Sequence, residues 1–116
     1  MAGAAIHKAI GHPPLALFRF PYGSSSASTL ALVNRLGYSA VGWTVDTLGW
    51  EGTSLGQSIG SVTSHALAHL HPGEIILMHV GANPQDHSML DADALPGIVK
   101  AIRARGYRFV TLNAYF

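Results

Sequence analysis

Cysteine is absent from this sequence of 116 residues, and charged residues are scarce. Without cysteine the chain can form neither disulfide bonds nor a thiolate metal site, and cysteine usage gives no indication of the redox compartment in which it works. Charged residues make up 11% of the chain, which is less than half of the roughly 25% in an ordinary soluble domain. The net charge is +1 with histidine neutral, so we expect no nucleic-acid partner.

Long apolar runs are also missing. No stretch approaches the roughly 20 apolar residues of a membrane-spanning helix, and no signal peptide is visible at the start. We therefore expect no membrane partner. Apolar residues still account for 48% of the chain, and a chain of this length can form one small domain with a modest core.

Short apolar segments alternate with helical patterns along the chain. Strand-length runs cover residues 15–20, 38–45, 74–80 and 107–112. Helical patterns cover 4–10, the segment from the serines at 24–26 to 36, then 54–70 and 91–105. This alternation predicts an α/β fold, with about four parallel strands joined by right-handed helical crossovers.

The apolar run from Glu74 to Val80 is the central element of this pattern. Pro72 and Gly73 precede it and Gly81 follows it, which predicts a strand buried on both faces. The run carries His79 near its carboxyl end, where the chemistry of barrels of alternating strands and helices takes place. The alternative is a structural histidine with its hydrogen bonds satisfied.

Arg19 and Asp46 also lie at the carboxyl ends of predicted strands, which parallel pairing brings to one rim. A carboxylate bonded to one ring nitrogen fixes the histidine tautomer and favours the protonated ring that a general acid requires. A turn at Tyr22 offers a backbone N–H to a developing oxyanion, and Trp50 is placed to wall a pocket. The alternative is that the charges are ordinary rim residues and the tryptophan is core.

Three segments carry a family resemblance. The segment Arg19-Phe20-Pro21-Tyr22-Gly23 resembles the third motif of polysaccharide deacetylases, the NodB-homology fold of carbohydrate esterase family 4. Asp46-Thr47-Leu48-Gly49-Trp50 resembles the fourth motif, and Leu77-Met78-His79 resembles the fifth. Their order and approximate spacing agree with the family across nearly the whole chain.

The resemblance implies a distorted (β/α)7 barrel that removes N- or O-linked acetyl groups from glycans such as chitin oligomers or peptidoglycan. It also implies a divalent metal, usually zinc, that activates a water, and a secreted or cell-envelope location. His79 would be the general acid tuned by Asp46, Arg19 would pair with the catalytic base, and the Tyr22 N–H would polarise the acetyl carbonyl. The implied substrate-binding residues are Trp50, Leu77, Phe20 and Pro21.

Two departures from the family limit this interpretation. Gly49 stands where the fourth motif usually has Asp. The first two motifs, which supply the base and the metal ligands, would precede Arg19 and are missing. We therefore interpret residues 1–116 as the C-terminal half of the fold, a partial (β/α)7 barrel without metal ligands and inactive alone. Its open sheet edges predict pairing with the missing N-terminal half or self-association.

His65 and His69 have the spacing of a metal-binding pair on a helix. They lack the glutamate of the HExxH zinc motif and come after the fourth motif, so we interpret them as a solvated helix face. The remaining histidines are expected on the surface or in loops, and they are His7, His12, His71 and His87.

Two other functions remain open from the sequence. A half barrel with an aromatic rim of Phe20, Tyr22 and Trp50 suits a non-catalytic carbohydrate-binding or assembly module. A different hydrolase or an isomerase on a similar barrel is the third alternative.

Overall fold

A computed structural model describes residues 2–114, which divide into two compact units. The first unit ends at Gly42 and also takes in the described residues from Leu112 onwards. The second unit runs Trp43–Thr111. None of the helices in the described part of the chain is long and apolar enough to cross a bilayer.

The described residues of the first unit form two α-helices and one pair of short strands. Helix α1 spans Ala2–Ile10, β1 spans Leu17–Phe18, α2 spans Ala27–Arg35 and β2 spans Ser39–Ala40. The strands pair in parallel, with Leu17 opposite Ser39. Ser26 caps the start of helix α2, because its hydroxyl accepts from the Thr29 N–H and the Thr29 hydroxyl accepts from the Ser26 N–H. This capping box places the start of the helix at the last of the three serines that open the predicted helical segment.

The second unit repeats the pattern. Strand β3 spans Val45–Asp46, α3 spans Ile59–Leu67, β4 spans Ile76–Leu77 and α4 spans Leu90–Ala104. Strands β3 and β4 pair in parallel, with Asp46 opposite Leu77. The α/β class and the parallel pairing are confirmed, and the partial seven-stranded barrel stays a prediction.

The core of the second unit lies between α3 and α4. Apolar side chains recur along each helix at intervals of three or four residues, which places them on one face. The buried set is Val62, Ala66, Leu90, Ala94, Ile98 and Ile102, and Ile76 from β4 packs against it. This face packs α4 against α3 and against Ile76 of β4.

The prediction of one strand over residues 38–45 is wrong. The segment is divided into β2 and β3, which belong to different two-stranded sheets. Just before β3, the Thr44 hydroxyl donates to the Ile75 carbonyl and accepts from the Ile75 N–H, both at 3.0 Å. The Thr44 side chain thus joins the two strands just before their backbone pairing begins.

Two other predicted strands, over 107–112 and 74–80, also need correction. Residues 107–111 form no strand, and the chain continues into a 3-10 turn at Leu112–Ala114. Half of the surface of Phe109 and of Val110 is exposed, so these apolar side chains are not covered as a central strand would require. The run 74–80 contains only the two strand residues of β4, and both are half-buried rather than buried on both faces.

The predicted helix over 54–70 is shorter in the structure. Residues Thr53–Leu55 form a 3-10 turn that ends at Gly56 in the left-handed region, with φ of 87°. Ser58 then caps α3 through a capping box with Ser61. The helix therefore begins at Ile59, because the glycine and the serine cap set a new start.

Candidate functional site

The parallel pairing of β3 and β4 brings two of the predicted site residues together. Asp46 ends β3, and His79 lies two residues beyond the end of β4. The pairing continues past the strands, where the Thr47 N–H donates to the Leu77 carbonyl at 3.2 Å. Because both strands run in the same direction, their carboxyl ends meet at one edge.

At this edge, Nε2 of His79 lies 2.9 Å from Oδ1 of Asp46. The His79 and Asp46 side chains are 29% and 27% exposed, respectively, so solvent reaches both. The same carboxylate oxygen accepts from the Leu48 N–H at 2.9 Å. An ionised carboxylate only accepts hydrogen bonds, so Nε2 is the protonated ring nitrogen in this contact. Within residues 2–114, Nδ1 of His79 has no hydrogen-bond partner.

Asp91 is a buried residue of this site that the sequence analysis did not assign to it. Its side chain is 4% exposed and projects from the first turn of α4. One carboxylate oxygen accepts from the Thr47 hydroxyl at 2.7 Å, and the other accepts from the His79 backbone N–H. An aspartate in the first turn of a helix is ordinary, since it faces the positive end of the helix dipole, and nothing in the local sequence reveals its contacts with Thr47 and His79.

A polar loop after His79 supports the segment that carries Trp50. The Asn83 amide donates to the Trp50 carbonyl at 2.9 Å, and its oxygen accepts from the Gln85 and Asp86 N–H groups. Asn83 is 8% exposed, whereas Trp50 is 52% exposed. The loop therefore holds the backbone of Trp50 and leaves the indole accessible.

Asp86 makes a second connection across this loop. Its carboxylate accepts from the Ser54 N–H at 2.7 Å and from the Ser88 N–H at 2.8 Å. Hydrogen bonds from the Ser54 and Ser88 side chains, and then from their backbone N–H groups, hold the pKa of Asp86 well below its ordinary value. The ionised carboxylate thus joins Ser54, which follows Trp50 in the chain, to Ser88 in the loop that follows His79.

The interpretation of His65 as part of a solvated helix face is wrong. Its Nδ1 donates to the Thr47 carbonyl at 2.9 Å, and its side chain is partly buried. His69 is exposed and lies beyond the end of α3 at Leu67. The two rings therefore differ in surroundings, since His65 packs on the carboxyl end of β3 and His69 faces solvent.

The residues of the third motif belong to the first unit. Arg19 directly follows β1 and is exposed. Phe20 is half-buried, with its ring centroid 5.0 Å from that of Phe18 in an edge-to-face arrangement. Tyr22 is fully exposed and has φ of 59° inside the 3-10 turn Pro21–Gly23. This positive φ is unusual for a residue with a side chain.

The metal that the resemblance implies does not fit the residues described. Between residues 2 and 114, no three side chains of His, Asp or Glu come close enough together to hold an ion. Asp46 and Asp91 already accept hydrogen bonds from the protein. We therefore assign no step of the chemistry on this chain to a metal.

The chain was compared with known proteins and structures, and several are similar to it. No family model matches it. A chitooligosaccharide deacetylase of Azorhizobium caulinodans is 36% identical over 98 residues, covering 78% of this chain and 45% of that protein. A crystal structure of a peptidoglycan N-acetylglucosamine deacetylase, bound to an N-oxidanyl-benzamide, superposes with a TM-score of 0.83. It is 31% identical and is matched over 98% of this chain and 50% of its own.

A family 4 carbohydrate esterase from Streptomyces lividans, in complex with acetate, superposes with a TM-score of 0.70. It is 29% identical and is matched over 90% of this chain and 48% of its own. The present chain spans 38% and 45% of the length of two curated relatives, which is less than half of each.

These matches define the chain as a relative of hydrolases named for removing acetyl groups from glycans. More particularly, the chain is homologous over most of its length to carbohydrate esterase family 4, the polysaccharide deacetylases with NodB homology. The resemblance predicted from its motifs is confirmed.

Proposed function

We propose that the complete protein containing this chain removes acetyl groups from a polysaccharide, and that this chain supplies the general-acid half of the site. The observation that carries the proposal is the hydrogen bond between Asp46 and His79 at the edge of a parallel strand pair. The homology to glycan deacetylases supports the reaction class. Chitin oligomers and peptidoglycan are the proposed substrate classes, and the latter suits a secreted or cell-envelope location.

The proposed role of His79 follows from its two ring nitrogens. Nε2–H donates to Asp46, and this hydrogen bond orients the ring. Nδ1 is then free to donate its proton to the nitrogen or oxygen that leaves the acetyl carbon. The proton moves from Nδ1 to that atom as its bond to carbon breaks, so the amine or alcohol departs neutral.

Three further roles rest on the family resemblance. Arg19 is proposed to pair with a catalytic base outside this chain. The Tyr22 N–H is proposed to donate to the acetyl carbonyl oxygen. Trp50 and Leu77 are proposed to line the acetyl pocket, with Phe20 and Pro21 contributing to the substrate surface.

The test uses a longer protein that contains this chain together with the family's first two motifs. Acetate release from acetylated chito-oligosaccharide is measured with zinc or cobalt present. We expect His79→Gln to reduce kcat by about 10²–10⁴, the usual contribution of a general acid. His69→Gln is the matched control, because that histidine is exposed and outside the site. Unchanged turnover in His79→Gln would refute the proposed role.

The isolated chain is proposed to be inactive, because the resemblance places the metal ligands in motifs that it does not contain. We further propose that it associates with a complementary half or with itself. Exposed apolar side chains on α2 and just beyond its end support this, namely Leu30, Leu32 and Leu36. Sedimentation that shows a folded monomer in dilute solution would argue against association, and chelator-sensitive deacetylation by this chain alone would refute its inactivity.

A non-catalytic carbohydrate-binding module is the second candidate, and the exposure of Trp50 favours it. About half of the Trp50 surface is open to solvent, and an exposed indole suits stacking on the apolar face of a sugar ring. This function requires neither a metal nor the protonation of His79. Sugar binding measured without metal separates it from the deacetylase proposal.

A further inference from the structure

The backbone at Gly49 lies directly against the carboxylate of Asp91. A Cβ atom at position 49 would lie 2.6 Å from Cγ and 2.7 Å from Oδ2 of Asp91. Neither distance is long enough for an ordinary contact, so any side chain at position 49 would collide with this carboxylate. Both residues are buried, which leaves little room for either to move aside.

Position 49 is also where this chain departs from the fourth motif that it resembles. That motif has an aspartate directly before its tryptophan, and here Gly49 precedes Trp50. We infer that Asp91 is a positioning residue of the site, and that its carboxylate, delivered from α4, replaces the one that Gly49 cannot supply. This inference rests on the proposed function, because positioning matters only if Asp46 and His79 act on a substrate.

The hydrogen bonds of Asp91 hold the segments that carry Asp46 and His79 in place. One oxygen accepts from the hydroxyl of Thr47, the residue that follows Asp46, and the other accepts from the backbone N–H of His79. Thr47 is fully buried. The carboxylate therefore joins the two strand ends that carry the catalytic pair, and it does so away from solvent.

A carboxylate suits this position better than an amide does. Two donors converge on it from different strands, and each oxygen accepts from one of them. Asparagine has the same shape but one oxygen, so its NH₂ group would face a second donor. A buried donor without an acceptor costs more than an ordinary hydrogen bond contributes.

The test moves the carboxylate from one position to the other. The variants are Asp91→Asn, Asp91→Ala, Gly49→Asp, and the double variant Gly49→Asp/Asp91→Ala. In the chain itself, we expect Asp91→Asn to speed amide hydrogen exchange at His79 by about tenfold or more, which corresponds to losing one hydrogen bond to a charged group. Asp93→Asn is the control, because Asp93 is exposed in the same first turn of α4.

The double variant decides the inference. If the carboxylate is interchangeable between the two positions, His79 exchange and the midpoint of thermal unfolding recover beyond the sum of the Gly49→Asp and Asp91→Ala effects. They also recover further than in Gly49→Asn/Asp91→Ala, which relieves the same collision with Asp91 but supplies no carboxylate. Strictly additive effects would overturn the inference. So would slow exchange at His79 in Asp91→Asn.

Activity of the longer protein gives an independent readout. We expect Asp91→Asn to lower kcat more than it raises KM, and the double variant to regain part of the loss relative to Asp91→Ala. Exchange at His79 needs no substrate. The two failures are therefore distinguishable. Normal turnover in His79→Gln would refute the proposed function, whereas the exchange results for the Asp91 variants would still hold.

Discussion

His79 and Asp46 are 33 residues apart in the sequence, yet Nε2 of the imidazole lies 2.9 Å from Oδ1 of the carboxylate. The register of β3 with β4 produces this approach, since Asp46 lies opposite Leu77. A parallel pair one residue out of register would turn one of the two side chains to the other face. The contact is therefore a property of the strand pairing and not of either residue alone.

The first prediction concerns the tautomer that this contact sets. We expect ring ¹⁵N chemical shifts to show the neutral form of His79 protonated at Nε2, because only a donor satisfies an ionised carboxylate. Asp46→Asn should shift the population towards the Nδ1–H form, since an amide can accept or donate. In the longer protein its kcat should fall, by no more than the roughly 10²–10⁴ that general acid catalysis contributes.

Asp93→Asn is the control for this experiment, because it removes the same charge from an exposed position. Its ring shifts for His79 should match those of the unsubstituted chain. An unchanged tautomer population in Asp46→Asn would contradict the assigned hydrogen bond.

A second prediction separates the two candidate functions. We expect Trp50→Ala to weaken glycan binding by at least about tenfold, as for an aromatic anchor at a binding surface. Isothermal calorimetry with chito-oligosaccharide, first on the chain without metal and then on the longer protein with metal, gives the measurement. If the chain binds the glycan without metal and Trp50→Ala abolishes that binding, the result supports the non-catalytic module.

Leu55→Ala is the matched control, because Leu55 is also apolar and is 67% exposed. It should leave glycan binding unchanged in both conditions. Equal affinities for Trp50→Ala and the unsubstituted protein would remove Trp50 from the substrate surface.

The third prediction is a pH dependence in the loop that holds the Trp50 backbone. Hydrogen bonds from Ser54 and Ser88 lower the pKa of Asp86 in the folded chain. A carboxyl whose pKa falls on folding contributes stability above its ordinary value of about 3.9 and loses it as the pH drops below that value. We therefore expect the loop to stay closed at neutral pH and to open in acid.

Amide ¹H–¹⁵N shifts of Ser54 and Ser88, followed from pH 7 downwards, measure this opening. Asp86→Asn should remove the pH dependence, because it has no carboxyl to protonate. A transition of these amides centred at or above the ordinary aspartate value would show that the two serines do not stabilise the ionised form.

The sequence predicted the site best where chemistry and strand ends coincide. Asp46 and His79 could be paired because both lie at the carboxyl ends of apolar runs, and parallel strands bring such ends together. Asp91 and Asn83 could not be found this way. Their partners lie on distant segments, and their own neighbours in the sequence look like an ordinary helix start and an ordinary polar loop.

The elements of the fold were likewise predicted well where the local pattern decides them, and poorly where distant partners do. Helix α4 was predicted nearly in full because its apolar period runs unbroken from its acidic start to Gly106. The strands were overpredicted, since apolar runs at 38–45 and 107–112 have strand composition but lack a continuous partner over their length. Whether such a run pairs depends on the rest of the sheet, which local pattern cannot supply.

The last prediction tests the core on which the site rests. Ile98 is 1% exposed and packs between α3 and α4. We expect Ile98→Ala to lower the free energy of unfolding by about 2–5 kcal/mol, because it removes buried methylene and methyl groups and leaves a cavity. Leu95→Ala is the control on the same helix. Leu95 is 45% exposed, so its loss should cost less than about 1 kcal/mol.

Urea denaturation followed by circular dichroism provides the comparison. A shift in the midpoint reports a change in stability only if the m value is unchanged. Because α4 carries both Asp91 and Ile98, Ile98→Ala should also speed amide exchange at His79, and Leu95→Ala should not. Equal losses of stability in the two variants would show that the face between α3 and α4 is not the core. The support of Asp46 and His79 by Asp91 would then need a different anchor.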